Sequence, residues 1–220
     1  GQKSSDWVKK TIEELNTFNN VRLMKRTTLY GVFDHGVLGA LERKTDHLPD
    51  NNDEPKQILW KIFSKNILVC TGANERGLIF RNNDRPGIML SSAIRSYVNR
   101  WGVTPGDKIV IFTNNDSGFH TAKDLLKKGC NVKAIIDTRE NSNQIIENVT
   151  VFKGKYISNT TGFNGIKSII LNDGTKIDTD CLGVSGGWNP NLSLTCHHGS
   201  KPIWDEEKKM FLPKNLPKQM

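Results

Sequence analysis

Residues 108–137, KIVIFTNNDSGFHTAKDLLKKGCNVKAIID, have the layout by which a strand, a loop and a helix grip the phosphates of a dinucleotide. In the G-x-G-x-x-G pattern the first glycine makes the turn, the second admits the pyrophosphate to the backbone, and the third lets helix pack on strand. Here those positions are Thr113, Asn115 and Gly118, so only the third is glycine. Asparagine tolerates left-handed backbone, so Asn114 or Asn115 can preserve the turn. The Asn115 side chain nevertheless fills the space a diphosphate needs. Asp116 adds a negative charge at the helix end that favours anions. Asp137 ends the second strand, where a ribose-holding acid belongs. Gly118 and Asp137 suit a unit kept as scaffold equally well. The residues predict a nucleotide-binding fold whose loop binds no nucleotide.

Other residues could also do chemistry. Thr71, Gly72 and Ala73 follow the apolar run Ile67-Leu68-Val69-Cys70. A glycine at a strand's carboxyl end lets backbone N–H groups approach a pyrophosphate or ribose, and equally makes a plain strand-ending turn. Gly186 and Gly187 follow the strand at 181–184 in the same way. Cys196-His197-His198 holds metal-ligating types, but adjacent side chains project differently and no second ligand pair has metal-site spacing, so no metal is expected. Arg85 can receive phosphate or serve as a surface ion-pair partner. His35 and His47 lie in turn or loop sequence, and Asp137 has no visible acid partner for general-base work.

These residues need elements to position them. A helix capped at Ser5 or Asp6 carries Trp7, Ile12, Leu15 and Phe18. Extended segments at 21–30 and 37–43 flank a turn at 33–36. A polar loop covers 45–56, a strand covers 57–63, and residues 67–70 read as a buried strand. Asn83 or Asp84 then caps a helix with Pro86 in its first turn and an apolar face from Ile88 to Trp101, stopped by Gly102. Beyond the strand–helix–strand unit, strands at 149–158 and 165–171 precede the hairpin turn Asn172-Asp173-Gly174-Thr175. A last strand covers 181–184.

At 220 residues the chain can bury a sizeable core. No apolar stretch is long enough to cross a bilayer, so no membrane role is expected. Cys70, Cys130, Cys181 and Cys196 are scattered without a C-x-x-C pair, which fits a reducing, cytoplasmic setting. The net charge of +8 is dispersed, with no basic stripe interleaved with aromatics, so nucleic acid is not expected as a partner. An anionic cofactor or acidic subunit would suit that field.

Two stretches echo each other: a meander with Thr28, Gly31 and Gly36 ending in ILVC-TGA, and one with Thr161, Gly162 and Gly165 ending in CLGV-SGG. The second follows its own strand–helix–strand unit, the first only a helix. With no methionine at position 1, this suggests an internal piece whose first copy lost its phosphate loop. The expected organisation is residues 1–82 as the end of a first nucleotide-binding half, 83–180 as a degenerate second half, and 181–220 returning to the first.

Two tandem halves, each closing on a glycine turn, resemble the flavin- and pyridine-nucleotide-dependent disulfide reductase family. The wording of residues 67–125 is narrower. Asn83-Asp84-Arg85-Pro86-Gly87-Ile88-Met89-Leu90 and Phe112-Thr113-Asn114-Asn115-Asp116-Ser117 resemble the alpha-subunit family of heterotetrameric sarcosine oxidases. So does the tail with Gly187-Trp188-Asn189-Pro190, Trp204-Asp205 and Phe211-Leu212-Pro213. The resemblance implies an α/β fold: a Rossmann-like parallel sheet with antiparallel β-meander in tandem, disulfide reductase-like architecture, the first half truncated. It implies oxidation of sarcosine to glycine, formaldehyde and hydrogen peroxide, with transfer of the one-carbon unit to tetrahydrofolate. NAD would sit in the alpha subunit's first half. FAD and substrate would lie on the beta subunit and FMN near the alpha–beta interface; gamma and delta subunits complete the assembly. No catalytic residue is expected in this chain, and alone it should be inactive. Thr27 and Thr28 resemble positions near the adenosine portion, though β propensity alone would also place threonines in a strand. In the related reductases the turn matching Gly186 and Gly187 faces the first half's cofactor. The alternatives are a fragment of a related amine, opine or cyanide-forming dehydrogenase, or a nucleotide-free interaction domain.

Overall fold

The structure, a computed structural model, describes residues 4–49 and 53–216, and Asp50, Asn51 and Asn52 of the expected polar loop lie outside them. Two compact units emerge. One takes the described residues up to 70 with 192–203 and those from 213; the other takes 71–191 with 204–212.

In the first unit, α1 (Ser4–Leu15) has no buried residue, and Trp7 is 59 % exposed. Strands β1 (Thr27–Phe33), β2 (Val37–Arg43) and β3 (Gln57–Phe63) pair antiparallel in the order β1-β2-β3. A single turn of 3-10 helix at Asp34–Gly36, with His35 at φ 61°, joins the first two. Residues 67–70 are not a strand, and Leu68 is 89 % exposed. A strand exists only where neighbours take its backbone N–H and C=O groups. No strand among the described residues pairs with this run, so apolar sequence alone does not make one.

The second unit opens with β4 (Ala73–Glu75) and then β5 (Ile88–Leu90). Residues 88–90, expected as the start of a helix, form a parallel strand instead. Three consecutive apolar residues after Pro-Gly satisfy either reading, and pairing with a neighbour decides it. Helix α2 (Ser91–Ser96) follows and widens into a π turn at Tyr97–Trp101 before Gly102 stops it at φ 66°. Tyr97 and Trp101 stay partly exposed, at 43 % and 57 %, with their rings 5.4 Å apart. Then come β6 (Ile109–Thr113), α3 (Asp116–Lys127), β7 (Val132–Asp137) and β8 (Thr150–Lys153), followed by the meander β9 (Ile157–Thr161), β10 (Ser168–Leu171) and β11 (Lys176–Asp178). Strand β12 (Cys181–Ser185) leads into β13 (Trp188–Pro190), which pairs antiparallel with β4. Helix α4 (Ser193–His197) belongs to the first unit, and β14 (Lys201–Asp205) pairs with β15 (Met210–Lys214) as a closing ribbon.

The large sheet of the second unit runs β5-β12-β6-β7-β8, every pair parallel. Alternation along β6 builds two cores. Ile109 and Ile111 pack with Ile94, Phe119, Ala122 and Leu125 under the helices; Val110 and Phe112 pack with Ile157, Ile166, Ile169 and Leu171 under the meander. Helix–sheet–meander layering covers both faces of a sheet whose strands are apolar throughout. The unit boundaries differ from the divisions at 82 and 180 suggested by the sequence pattern. Strand β12 sits inside the large sheet, so 181–191 belongs with 83–180, and residues 71–82 join it through β4. No described helix is long and apolar enough to cross a membrane.

Candidate functional site

Strand β6 continues to β7 on one side and borders β12 on the other, so the carboxyl ends of β6 and β12 form the switch point where such sheets open a ligand crevice. The chain's own side chains close it. Asn115 is extended (φ −153°, ψ 171°) and caps α3, its Oδ1 accepting from the Ser117 N–H at 2.9 Å. Its Nδ2 donates across the crevice to the Ser185 carbonyl at 3.1 Å and Oγ at 3.3 Å. The backbone N–H of Asn114 reaches the same carbonyl at 3.3 Å. Neither asparagine is among the positive-φ residues, so the expected left-handed turn is not what these side chains provide. They cap a helix and stitch two strands. Thr113 Oγ1 accepts from Asn115 N–H at 3.1 Å and donates to its carbonyl at 2.8 Å. Gly118 packs where expected: a Cβ there would lie 2.6 Å from Thr113 Cβ.

The remaining anion position is filled from within. Asp116, in the first turn of α3, pairs with Arg139 at 2.8 Å and accepts from Gln144 Nε2 at 3.3 Å. Arg139 also forks onto Asp137, Nε to Oδ1 at 3.0 Å and Nη2 to Oδ2 at 2.9 Å, and its backbone N–H bonds the same carboxylate at 3.0 Å. Asp137 is fully buried. Its carboxylate is committed to Arg139 and does not stand free for a ribose. The bonds from Asp137 hold Arg139 above the usual arginine range, burial opposes this, and Asp116 adds to it. Sequence reasoning missed Arg139. The available signal was an arginine two residues beyond the strand-ending acid, a spacing that permits this local fork.

One ribbon carries Thr71, Gly72 and Ala73 at one end and Gly186 and Gly187 at the other. Ala73 is opposite Pro190 and Glu75 opposite Trp188. Thr71 Oγ1 donates to the Asn191 carbonyl at 3.0 Å, and Asn191 N–H donates to the Gly72 carbonyl at 2.9 Å. At the other end Gly186 N–H donates to Arg76 O at 2.7 Å and Arg76 N–H to Gly187 O at 2.8 Å. The two turns differ in what surrounds them. Gly72 is exposed, with φ +72° and nothing within 4 Å of a Cβ position, so no neighbouring group occupies that space. A Cβ on Gly186 would meet Gly77 O at 2.5 Å, and one on Gly187 would meet Arg76 Nη2 at 2.8 Å, so internal packing fills that space. Trp188 Nε1 donates to Ser117 Oγ at 2.9 Å, and Glu75 Oε2 accepts from Ser92 N–H at 2.7 Å at the start of α2. The ribbon thus lies over the crevice.

Thr27 and Thr28 lie in β1 of the first unit, opposite Glu42 and Leu41. The Thr27 hydroxyl donates to Lys25 O at 3.0 Å, and Thr28 is exposed. Cys196, His197 and His198 project apart. Cys196 is exposed, His197 Nδ1 lies 2.8 Å from Val32 O, and His198 Nε2 lies 3.8 Å from Asp34. No group of three His, Cys, Asp or Glu among the described residues could hold a metal ion. Arg85 is an internal strut, bonded to Thr160 Oγ1 at 3.0 Å and to the Gly162 carbonyl.

No family model matches the chain. It is 37 % identical over 217 residues to the sarcosine oxidase alpha subunit of Rhizobium meliloti (strain 1021), covering 96 % of this chain and 22 % of that subunit. Against the alpha subunit of Corynebacterium sp. (strain U-96) it is 34 % identical over 231 residues, covering 97 % of this chain and 24 % of that one. It therefore spans under a quarter of the length of these curated relatives. Among solved structures, the L-proline dehydrogenase of P. horikoshii superposes with TM-score 0.65 at 19 % identity, over 96 % of this chain and 38 % of that one. The bacillithiol disulfide reductase of Bacillus cereus gives 0.59 at 16 % identity, over 94 % and 63 %. A FAD-dependent pyridine nucleotide-disulphide oxidoreductase of Desulfovibrio vulgaris gives 0.54 at 13 % identity, over 84 % and 52 %. The chain has the Rossmann-like, disulfide reductase-like architecture, and its sequence is related to sarcosine oxidase alpha subunits.

Proposed function

We propose that the chain is the cofactor-holding and assembly part of a sarcosine oxidase alpha subunit. The observation that carries this is sequence similarity of 32–37 % sustained over 96–97 % of the chain to three such subunits. The whole complex would oxidise sarcosine to glycine, formaldehyde and hydrogen peroxide, pass the one-carbon unit to tetrahydrofolate, and contain beta, gamma and delta subunits with FAD and FMN. Amine chemistry would take place on another subunit. NAD, when bound, would supply a dinucleotide whose phosphates and ribose accept backbone N–H donors. The second-half loop does not fit it, because Asn115, Asp116 and Arg139 fill the crevice. At Gly72 no neighbouring group fills the Cβ space, which leaves room for it. Thr71, Gly72 and Ala73 are the proposed contacts in the second unit, joined by Gly186 and Gly187; Thr27 and Thr28 are proposed in the first. The divisions at 82 and 180 would then separate the first half from the second by descent, whatever the packing.

Co-expression with beta-type partners tests this. A folded complex carrying FAD and oxidising N-methylglycine supports the proposal, whereas a complex without nucleotide supports a purely structural interaction domain. The superposition on a proline dehydrogenase over 96 % of the chain favours a second reading, a subunit of a related amine dehydrogenase. Oxidation of L-proline in preference to sarcosine by the same complex would establish it.

A further inference from the structure

The amino ends of the parallel strands, opposite the closed crevice, carry an unexplained concentration of positive charge. Two adjoining cavities of about 440 and 450 Å³ share Lys108, Lys176 and Asp178. Lys167 and Asp180 line the first and Lys133 the second. Asp180 is already engaged, accepting from the N–H groups of Asp107 at 3.1 Å and Lys108 at 2.8 Å. All four lysines are exposed, and none has an ion-pair partner among the described residues.

The shape of the groove indicates its occupant. There is no arginine fork and no glycine-rich cradle of N–H groups, the devices that grip a compact phosphate. Lysines are point charges on flexible stems, here spread over two cavities, and they suit several carboxylates spaced along a chain. All three residues of β11 line the second cavity, and β11 is the outer strand of its sheet. A free strand edge beside a charged groove accepts an extended segment. We infer that this groove docks an extended acidic segment of a partner polypeptide. The inference goes beyond the cofactor reading and does not depend on it, since the groove lies at the other end of the sheet.

Fluorescence anisotropy of labelled decaglutamate against the full chain, at about 20 and 150 mM salt, tests it. Binding at low salt should weaken at least about tenfold in Lys108→Glu/Lys176→Glu. Lys123→Glu/Lys153→Glu, with the same charge change on exposed residues that do not line the groove, should stay within about twofold. Lys108→Gln/Lys176→Gln, which removes charge without reversing it, should give a smaller loss. Equal losses in the two reversal pairs would reduce the effect to net charge and overturn the inference, as would absence of binding at low salt. Binding of inorganic tripolyphosphate with the same lysine dependence, in place of decaglutamate, would make the groove a compact-anion site and overturn it too.

Discussion

Replacing Asn115 by glycine restores the residue type that a phosphate loop wants at its second position and removes the stitch across the crevice. The cap on Ser117 N–H is lost at 2.9 Å, and so are the bonds to Ser185 O at 3.1 Å and Oγ at 3.3 Å. Glycine in place of an asparagine cap costs only a few tenths of a kcal/mol. The bonds to Ser185 net about 1 kcal/mol, and freeing the backbone adds about 0.5–1 kcal/mol. The sum is about 2 kcal/mol, which in a chain of this size lowers the melting temperature by about 4–8 °C. Scanning calorimetry reads that number. NAD affinity should not rise, because Asp116 and Arg139 still fill the anion position. Calorimetric titration should show no new site tighter than about 1 mM relative to the unsubstituted chain. Micromolar NAD binding gained by Asn115→Gly would refute the idea that the chain's own side chains close the crevice. An unchanged melting temperature would refute the stitch.

Further expectations concern Arg139, Gly118 and the cysteines. Arg139→Met leaves the buried Asp137 carboxylate without its fork, a loss of about 3 kcal/mol for a buried pair, lessened here because Arg139 is 35 % exposed. Urea unfolding of Arg139→Met should show it, and Asp137→Asn in the same background should restore more than half. Gly118→Ala drives a methyl into Thr113 Cβ, 2.6 Å away, and should cost about 1–3 kcal/mol; a neutral result would contradict the close helix–strand approach. Burial, reinforced by the Asp180 charge, pushes the Cys181 thiol from 9.0 up to about 12. The unfolded thiol therefore ionises first, so stability is fully present below pH 9 and declines as pH rises towards 12, readable by urea titration. In the native chain iodoacetamide should label the exposed Cys70 and Cys196 and spare Cys181 until denaturation.

The strand–helix–strand unit was legible because its two periods are local: alternation along Ile109–Thr113 and a helical stripe of Phe119, Ala122 and Leu125. Its loop was legible in effect but not in device. The bulk of Asn115 predicted closure, while the capping and stitching geometry depends on Ser185, 70 residues away. Arg139 escaped notice because an arginine in a polar loop looks solvated until its fork is seen. Residues 67–70 and 88–90 show the limit from both sides. The first run has a strand's composition and no described partner, whereas the second has a helix's periodicity and a partner in β12. Which strands adjoin in a sheet is a property of the whole chain, and windows of a few residues do not contain it.

Strand β12 lies between β5 and β6, though it follows them by some 70 to 90 residues in the chain. During synthesis β5 and β6 therefore emerge with their facing edges bare, and both must wait for residues 181–185 before the sheet can close. Until then two strips of Ile, Met, Leu and Val backbone are exposed to other nascent chains. A ribosome stalled shortly before residue 181 would present an aggregation-prone intermediate, and one released just beyond residue 190 a sheet able to complete itself.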